Sequence, residues 1–271
     1  MVFSKIELLK YYLLQNRYSW SSLTKEQKNI IYNSNIVHNN IRDDYKNPAL
    51  YQNGLNYNSN IDRSTVYRGK ITKNLLNKYD FKSVLEIGPG AGFITKIILA
   101  NKPEHYVAVD IVQPFLDFCK NAIADDQDVI TKCDFVCGDI TDINLKKKFD
   151  VIFFLSTLHH IPNRRDFLNK LVPFCHQNTV IISVEPTHYL PRILKLLKRL
   201  PTYLSDTYVK YNNYQNLSTH HFLTLNEYKS FDKFQVVEYG FNYSNKIPIK
   251  FFGIFSYEMY VVLRPYLGEL S

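Results

Sequence analysis

The chain has 271 residues, of which 45% are hydrophobic and 21% are charged. This is ordinary globular composition, and it excludes a disordered chain. The four cysteines form no Cys-x-x-Cys pair and no Cys/His cluster with zinc spacing, so the sequence predicts no metal site. The net charge of +8 is compatible with nucleic acid, anionic lipid or an acidic small molecule, and does not by itself choose among them.

Residues 1–63 are predicted to form an N-terminal helical cap region. The opening stretch MVFSKIELLKYYLLQNRY interrupts its apolar residues with charges at helical spacing, which indicates an amphipathic helix rather than a signal peptide. The longest late apolar run, residues 251–263, is shorter than a membrane span and contains Glu258. We therefore expect no transmembrane segment and a cytoplasmic location.

Residues 64–185 alternate between amphipathic helices and short apolar strands rich in β-branched residues. This alternation predicts an α/β fold with a doubly wound, Rossmann-like, mostly parallel sheet. A ligand then belongs at the carboxyl ends of the strands. The predicted elements, in chain order, are the helix STVYRGKITKNLLNKY, the strand SVLEIG, the helix FITKIILANK, the strand HYVAVDI, the helix QPFLDFCKNAIADD, the strands CDFVCGDI and DVIFFLS, the helix RDFLNKLVPFC and the strand TVIISVEP.

The alternation stops after Glu185. Residues 186–222 carry one basic amphipathic helix, PRILKLLKRLP, and a long loop of aromatic and polar residues, which we interpret as a lid over the strand ends. The basic helix at 191–200 fits an anionic substrate or a lipid surface, although a solvated basic face is the commoner arrangement. Residues 223–271 add a helix that begins at Thr224 and two last strands, FQVVEYGF and FSYEMYVVLR.

The stretch SVLEIGPGAGFIT holds a glycine-rich turn between a predicted strand and a predicted helix. Phe93 stands where a dinucleotide fingerprint requires glycine, and no Gly-Lys-Ser/Thr follows as in a P-loop. Glu86, two residues before the first glycine, would repel a pyrophosphate and attract a ligand with a cationic amino-acid end. The missing side chains let such a ligand lie against the backbone. The glycines of the turn are Gly88, Gly90 and Gly92.

Two more acids end the next two strands. Asp110 stands where a carboxylate accepts hydrogen bonds from ribose hydroxyls, and Asp139 stands where a carboxylate accepts an adenine amino group while Ile140 packs on the ring. Taken singly, Asp110 could be a helix N-cap and Asp139 a turn residue. Three acids in order at consecutive strand ends favour one shared ligand.

This set of residues resembles the class I S-adenosylmethionine-dependent methyltransferases. The resemblance covers residues 64–185 well and the last two strands loosely. It implies S-adenosylmethionine as cofactor and S-adenosylhomocysteine as product, with the methionine end on the glycine turn. Upstream, Tyr67 and Arg68 join the predicted site, because an arginine there could reach the cofactor carboxylate. The other predicted cofactor residues are Glu86, Gly88, Gly90, Gly92, Asp110, Ile111, Asp139, Ile140 and Ser156.

The motif STLHHIPN, residues 156–163, indicates a branch of that family. The phrase VLEIGPG is also common in rRNA adenine dimethyltransferases, but those follow the fourth strand with an Asn/Asp-Pro-Pro-aromatic or Asn-Leu-Pro-Tyr motif. LHHIP is similar instead to small-molecule methyltransferases that act on quinones, sugars and natural products. In some of these, a His of this motif removes the proton of a substrate hydroxyl, supported by an acid after the fifth strand.

The matching positions here are His159, His160 and Glu185. A near-neutral imidazole that removes a proton contributes about 10²- to 10⁴-fold to the rate. We place His160 first as the base, His159 second, and Glu185 as the group that orients the ring; His188 is a rival. In many relatives that carry the His pair, the substrate needs no strong base. One of the two histidines then often caps the next helix or forms a hydrogen bond with the backbone.

The sequence thus predicts an enzyme that moves a methyl group to a small-molecule acceptor, at a hydroxyl oxygen of a natural product or other metabolite, by in-line displacement. An RNA methyltransferase is the second hypothesis, based on the charge of +8, although no RNA-binding module is visible. A non-catalytic cofactor-binding protein is the third. The N-terminal helices and the aromatic lid would support a homodimer, and the basic helix a peripheral membrane contact.

Overall fold

The computed structural model describes residues 63–90, 92–111, 113–124, 126–161, 164–186, 223–243 and 256–266. The predicted N-terminal helices, the predicted lid with its basic helix, and His188 lie outside the described residues. In the described part of the chain, no helix is long and apolar enough to cross a membrane.

The described residues form a seven-stranded sheet with the order β3-β2-β1-β4-β5-β7-β6. Strands β1 to β5 pair in parallel, and β7 runs antiparallel to its neighbours β5 and β6. This confirms the predicted mostly parallel α/β fold. The strands are β1 (Ser83–Ile87), β2 (His105–Asp110), β3 (Cys133–Cys137), β4 (Phe149–Leu155), β5 (Cys175–Pro186), β6 (Phe234–Tyr243) and β7 (Ser256–Pro265).

Helices cover both faces of this sheet. Leu75, Ile94 and Leu116 bring α1, α2 and α3 into one buried cluster, whereas Leu168 and Tyr228 bring α5 and α6 into another on the opposite face. The short α4 and the two 3₁₀ turns, Leu158–His160 and Val172–Phe174, were not predicted. The helices are α1 (Arg63–Leu76), α2 (Phe93–Leu99), α3 (Gln113–Ala122), α4 (Gln127–Ile130), α5 (Arg164–Leu171) and α6 (Leu225–Lys229).

Strand β1 shows why its acid faces the helices. Val84 belongs to the cluster under α1, α2 and α3, whereas Leu85 and Ile87 belong to the opposite cluster. Side chains alternate between the two faces of a strand, so Glu86 shares the face of Val84. The acid that precedes the glycine turn therefore points between the sheet and the helices.

Two ion pairs set the direction of α1 across the sheet. Arg68 pairs with Glu258, which lies opposite Pro186 at the carboxyl end of β5. Lys78, just after the end of α1, pairs with Glu238 on β6. In the strand register Glu238 lies at the height of the middle of β5. The first turns of α1 consequently stand at the carboxyl edge of the sheet, where a parallel sheet places its ligands.

A hydrogen-bonded latch joins the amino ends of β1, β4 and β5. Oδ2 of Asp150 accepts hydrogen bonds from the backbone amides of Lys82 and Ser83 and from Oγ of Ser83, each at 2.8 Å. Its Oδ1 lies 2.8 Å from Nε2 of His176. Burial raises the pKa of Asp150, but the hydrogen bonds outweigh burial and hold the pKa below its ordinary value of 3.8.

Asp150→Asn is expected to lower the free energy of unfolding at pH 7 by about 1–3 kcal/mol, because it weakens hydrogen bonds to a charged acceptor. A depressed folded pKa contributes stability above the unfolded pKa, and this stability disappears as the pH falls through the folded pKa. The difference between variant and wild type should therefore vanish in acid. Urea unfolding at several pH values measures this. Asp134→Asn, an exposed carboxylate 3.6 Å from Lys147, is the control and should change stability by less than about 0.5 kcal/mol.

Candidate functional site

The glycine turn between β1 and α2 is left-handed and tightly packed. Gly88, Gly90 and Gly92 have φ angles of 70°, 54° and 76°. A Cβ at Gly88 would lie 2.4 Å from Oγ1 of Thr157, and a Cβ at Gly92 would lie 3.1 Å from Sγ of Cys119. The turn therefore requires glycine for two reasons: side chains disfavour this φ, and both the loop after β4 and α3 approach its backbone closely.

Glu86 lies beneath this turn, in the core. The residue is 1% exposed, and its Oε2 accepts hydrogen bonds from Oγ1 of Thr95, at 2.8 Å, and from the hydroxyl of Tyr106. Burial raises the pKa of Glu86 from 4.5 to about 7, although both hydrogen bonds act in the opposite direction. A raised pKa leaves the carboxyl less ionised at neutral pH than a free one, so its predicted attraction for a cationic ligand would grow as the pH rises.

The raised pKa of Glu86 predicts a pH-dependent stability. Between pH 4.5 and about 7 the folded protein keeps a proton that the unfolded chain releases, so stability falls across this window and is flat above it. The total loss is on the order of 3 kcal/mol. Glu86→Gln is expected to remove this dependence when urea unfolding is compared with wild type from pH 4.5 to 8. Glu104→Gln, at an exposed acid beside Lys82, should leave it in place.

The predicted ribose and adenine residues lie at the ends of β2 and β3. Asp110 is 8% exposed, and its backbone carbonyl accepts a hydrogen bond from the amide of Gly138, which joins the two strand ends. Oδ1 of Asp139 accepts a hydrogen bond from the amide of Thr141 at 2.8 Å, so this residue also holds its own turn. The two carboxylates stand at adjacent strand ends, as one shared ligand requires.

The two isoleucines beside these acids differ in exposure. Ile140, predicted to pack on an adenine ring, is 3% exposed and belongs to the core. Ile111, directly after Asp110, is 60% exposed. The apolar surface next to the acids is therefore that of Ile111, because a side chain already enclosed by the core offers almost no face to a ligand.

Glu185 and His159 form a buried pair at the ends of β5 and β4. Nδ1 of His159 lies 2.6 Å from Oε2 of Glu185, and the two residues are 4% and 1% exposed. Oε1 of Glu185 also accepts the backbone amides of Thr157 and Leu158, at 3.0 and 2.8 Å. If Nδ1 of His159 donates to this carboxyl, as the backbone amides do, the lone pair of the ring is on Nε2. The described part of His160 is its backbone in the Leu158–His160 turn.

Arg164 also holds the Leu158–His160 turn in place, and the motif STLHHIPN gives no sign of this contact. Nε of Arg164 donates to the carbonyl oxygen of Leu158 at 3.2 Å, and its Nη1 lies 2.6 Å from Oε1 of Glu227 on α6. Arg164 is only 9% exposed. The turn that carries His159 is thus fixed from β5 by Glu185 and from α5 by Arg164. No local sequence signal links Arg164 to Glu227, since they are 63 positions apart.

Thr157 connects the glycine turn with the His159–Glu185 pair. Its Oγ1 donates to the carbonyl oxygen of Gly88 at 3.3 Å or to that of Leu155 at 3.0 Å, and its amide binds Glu185. Through these contacts the structure brings the glycine turn and the His159–Glu185 pair to one edge of the sheet. Neither Thr157 nor Arg164 was predicted as a site residue.

Arg68, which the sequence predicts to reach the cofactor carboxylate, pairs with an acid on a distant strand. Its Nε donates to Glu258 on β7, and β4 and β5 separate β7 from β1 in the sheet. Tyr67 precedes it on α1 and is half-buried.

The described residues fit S-adenosylmethionine. Ser156, at the end of β4, has a φ of 51°, and its buried Oγ has no hydrogen-bond partner among the described residues. An orphaned hydroxyl on a strained backbone is costly in a folded protein and typical of a ligand site. This hydroxyl offers a polar contact at the strand ends, and Asp110 and Asp139 would accept hydrogen bonds from a nucleoside.

Comparisons with known proteins indicate a methyltransferase domain. Residues 85–200 match the family described as "Methyltransferase domain". The chain is 30% identical over 155 residues to a malonyl-[acyl-carrier protein] O-methyltransferase of Calditerrivibrio nitroreducens, covering 55% of each chain. The protein of the same name from Acetivibrio thermocellus is 25% identical over 119 residues, covering 42% of this chain and 40% of that one. The chain spans about half the length of the curated relatives it matches.

Two further similarities concern a shorter segment and the fold. A ribosomal RNA small subunit methyltransferase A of Cytophaga hutchinsonii is 36% identical over 62 residues, 23% of this chain and 24% of that one. A crystal structure of an S-adenosylmethionine-dependent methyltransferase from Clostridium acetobutylicum superposes with a TM-score of 0.53 at 14% identity, covering 80% of this chain and 98% of that one. Residues 85–200 therefore match a methyltransferase domain, and the chain shares the fold of an S-adenosylmethionine-dependent methyltransferase, which indicates S-adenosylmethionine as the cofactor.

Proposed function

We propose that the protein transfers the methyl group of S-adenosylmethionine to an oxygen atom of a small-molecule acceptor, with His159 as the general base. The observation that carries this proposal is the His159–Glu185 pair, 2.6 Å apart, at the carboxyl ends of the strands. Thr157 joins this pair to the glycine turn, so a base and a methionine site lie at one edge of the sheet.

When bound, the cofactor supplies an electrophilic methyl group, and the protein's own residues prepare the acceptor. Glu185 accepts the Nδ1 proton of His159, which leaves the lone pair on Nε2 for the proton of an acceptor hydroxyl. The buried carboxylate also stabilises the imidazolium formed when that proton arrives. The turn is clamped from two sides by Glu185 and Arg164, so the ring keeps one orientation.

The relatives support oxygen as the methylated atom. Two curated relatives are named O-methyltransferases, and the motif LHHIP is similar to that of small-molecule enzymes. On this proposal, residues 186–222 form the lid that shapes the acceptor pocket, and the natural role of the enzyme lies in the modification of a metabolite. A cytoplasmic location fits such a role.

The test is methyl transfer from labelled S-adenosylmethionine into a cell extract separated into nucleic-acid, protein, lipid and small-molecule pools. We expect label in the small-molecule pool, and its loss in Asp110→Ala, which removes an acid from the predicted ribose site. Asp117→Asn, which changes an exposed acid on α3, is the matched control and should label as wild type does.

Other distributions of label would contradict the proposal. Label in RNA would favour an RNA methyltransferase, the alternative suggested by the charge of +8 and by the similarity of 62 residues to a ribosomal RNA enzyme. If cofactor binds but no pool takes up label, the chain would instead be a cofactor-binding protein without catalysis. Equal labelling by Asp110→Ala would show that the predicted ribose site is wrong.

A further inference from the structure

A buried polar cluster lies beneath the glycine turn, between the sheet and the helices α2 and α3. Its members are Glu86 on β1, Tyr106 on β2, Thr95 on α2 and Cys119 on α3. Each of the four residues is at most 1% exposed. Polar groups buried this deeply are costly unless they bind one another or a ligand. The hydrogen bonds within the cluster therefore indicate which of its groups remains for a ligand.

The two carboxyl oxygens of Glu86 are used unequally. Oε2 accepts hydrogen bonds from the hydroxyl of Tyr106 and from Oγ1 of Thr95, the latter at 2.8 Å. Oε1 makes no hydrogen bond to any residue that the structure describes. It is also not among the fully enclosed polar atoms without a partner, so it remains open to solvent. The carboxyl group is thus held by one oxygen and offers the other.

The register of β1 and β2 explains why Tyr106 reaches this acid. Glu86 stands opposite Ala108, whose side chain is only a methyl group, and Tyr106 stands two positions earlier on β2, opposite Val84. Residues two apart on a strand share a face, and diagonal neighbours on adjacent strands are within reach of an aromatic side chain. The long ring of Tyr106 therefore extends beside Ala108 and brings its hydroxyl to Glu86.

The cluster is in direct contact with the glycine turn. Sγ of Cys119 donates to the carbonyl oxygen of Gly90 at 3.4 Å and lies 3.8 Å from Oγ1 of Thr95. A Cβ at Gly92 would lie 3.1 Å from the same sulfur atom. Since Thr95 also binds Glu86, two side chains connect the acid with the backbone of the turn. The acid and the predicted methionine site are therefore parts of one packed group.

Three ionisable groups of the described residues act on Glu86. Burial raises the pKa of Tyr106 well above its usual 10 and also raises the pKa of Cys119, so both keep their protons and the tyrosine remains a donor. Burial raises the pKa of Glu86 to about 7, the hydrogen bonds from Tyr106 and Thr95 act in the opposite direction, and the charge of Asp110 adds to the rise. Loss of either hydrogen bond would therefore leave Glu86 less ionised at neutral pH.

We propose that Tyr106 is a positioning residue for cofactor binding, which together with Thr95 holds Oε2 of Glu86 and leaves Oε1 to attract the amino group of the methionine end. A carboxylate held by two donors keeps both its charge and its orientation. Both effects strengthen its attraction for an ammonium group at the turn. Of the proposed function, the proposal rests only on the cofactor, and it needs neither the acceptor nor His159.

The test is calorimetric titration of S-adenosylhomocysteine into wild type and variants from about pH 5.5 to 8.5. Wild-type affinity is expected to rise with pH as Glu86 ionises. Tyr106→Phe removes one donor at nearly constant volume, so this rise should move upward by about one pH unit, the size of one hydrogen bond to a carboxylate. At the upper end of the range, the two affinities should agree within about twofold, because Glu86 is then ionised in both proteins.

Tyr228→Phe is the matched control. Tyr228 is also fully buried, with its hydroxyl 2.7 Å from Oγ of Ser183, but it lies in the cluster on the opposite face of the sheet. This variant should keep the wild-type pH profile of binding even where it lowers stability. Should Tyr106→Phe fail to fold, Thr95→Val decides, since it removes the other donor at nearly the same volume and should move the profile in the same direction.

Urea unfolding of the same variants measures Glu86 without a ligand. In Tyr106→Phe the fall in stability should extend to higher pH, by the same amount as the binding profile moves. If stability responds in this way while the binding profile stays in place, Tyr106 acts on Glu86 but Glu86 does not act on the cofactor, and the proposal is wrong.

Two further results would overturn the proposal. If the affinity of wild type does not depend on pH, or if Tyr106→Phe and Thr95→Val both keep the wild-type profile, the cluster is structural. If wild type does not bind S-adenosylhomocysteine at any pH, the cofactor assignment fails together with the proposal. Label in RNA instead of the small-molecule pool would contradict the proposed acceptor and leave the role of Tyr106 unchanged.

Discussion

Asparagine in place of His159 is expected to lower kcat by about 10²- to 10⁴-fold, the contribution of a general base. The reason is that His159, and no other histidine with a described side chain, shares a buried hydrogen bond with an acid at the ligand edge of the sheet. Affinity for S-adenosylhomocysteine should change little, because the lost group acts on the acceptor. The rate of methyl transfer to the acceptor found in the extract, measured with the purified variant, checks this.

A matched control separates catalysis from structure at this position. His176→Asn is that control, because His176 also pairs with an acid, Asp150, but at the opposite end of the sheet. It should keep the wild-type kcat. A full kcat in His159→Asn would show that the base lies elsewhere, with His160 as the first alternative.

Gly88→Ala is expected to weaken S-adenosylhomocysteine binding by at least about 5- to 30-fold. A left-handed φ costs a residue with a side chain roughly 1–2 kcal/mol, and each 1.4 kcal/mol is tenfold in affinity. The new Cβ would also lie 2.4 Å from Oγ1 of Thr157, so either the glycine turn or the loop after β4 must shift. Calorimetric titration of S-adenosylhomocysteine into the purified variant measures the loss.

A double-mutant cycle distinguishes the two causes at Gly88. Thr157→Ala removes the side chain that the new Cβ would meet, so the double variant should recover part of the affinity and retain the loss that comes from φ. Thr157→Ala alone is the control and should bind within a few-fold of wild type. Wild-type affinity in Gly88→Ala would mean that the turn adopts another backbone when the cofactor binds.

Two histidine–acid pairs among the described residues look alike, and we expect them to have different roles. His176 pairs with Asp150 at the amino ends of the strands, where the carboxylate also ties β1 to β4. His159 pairs with Glu185 at the carboxyl ends, beside the glycine turn. Parallel strands gather their carboxyl ends at one edge, so position in the sheet distinguishes a candidate base from a structural latch.

Much of the fold was predictable because its signals are local. Short β-branched strands between amphipathic helices indicated a mostly parallel sheet, and the strands predicted within the described residues are present. The need for glycine at Gly88 and Gly92 follows from a left-handed turn, which is encoded in a few adjacent positions. The placement of Glu86, Asp110 and Asp139 at strand ends was equally local, since each acid directly ends or follows an apolar run.

The class of fold, the glycine turn and the order of the acids along the sheet edge all follow from local sequence patterns. The partners of the polar side chains follow only from the folded arrangement. The fold pairs Glu185 with His159, which we placed second as the candidate base. It also pairs Arg68 with Glu258, 190 positions away on a distant strand. It also encloses Ile140 and exposes Ile111. Such contacts depend on strand register and on packing between remote segments, and no local pattern of residues records them.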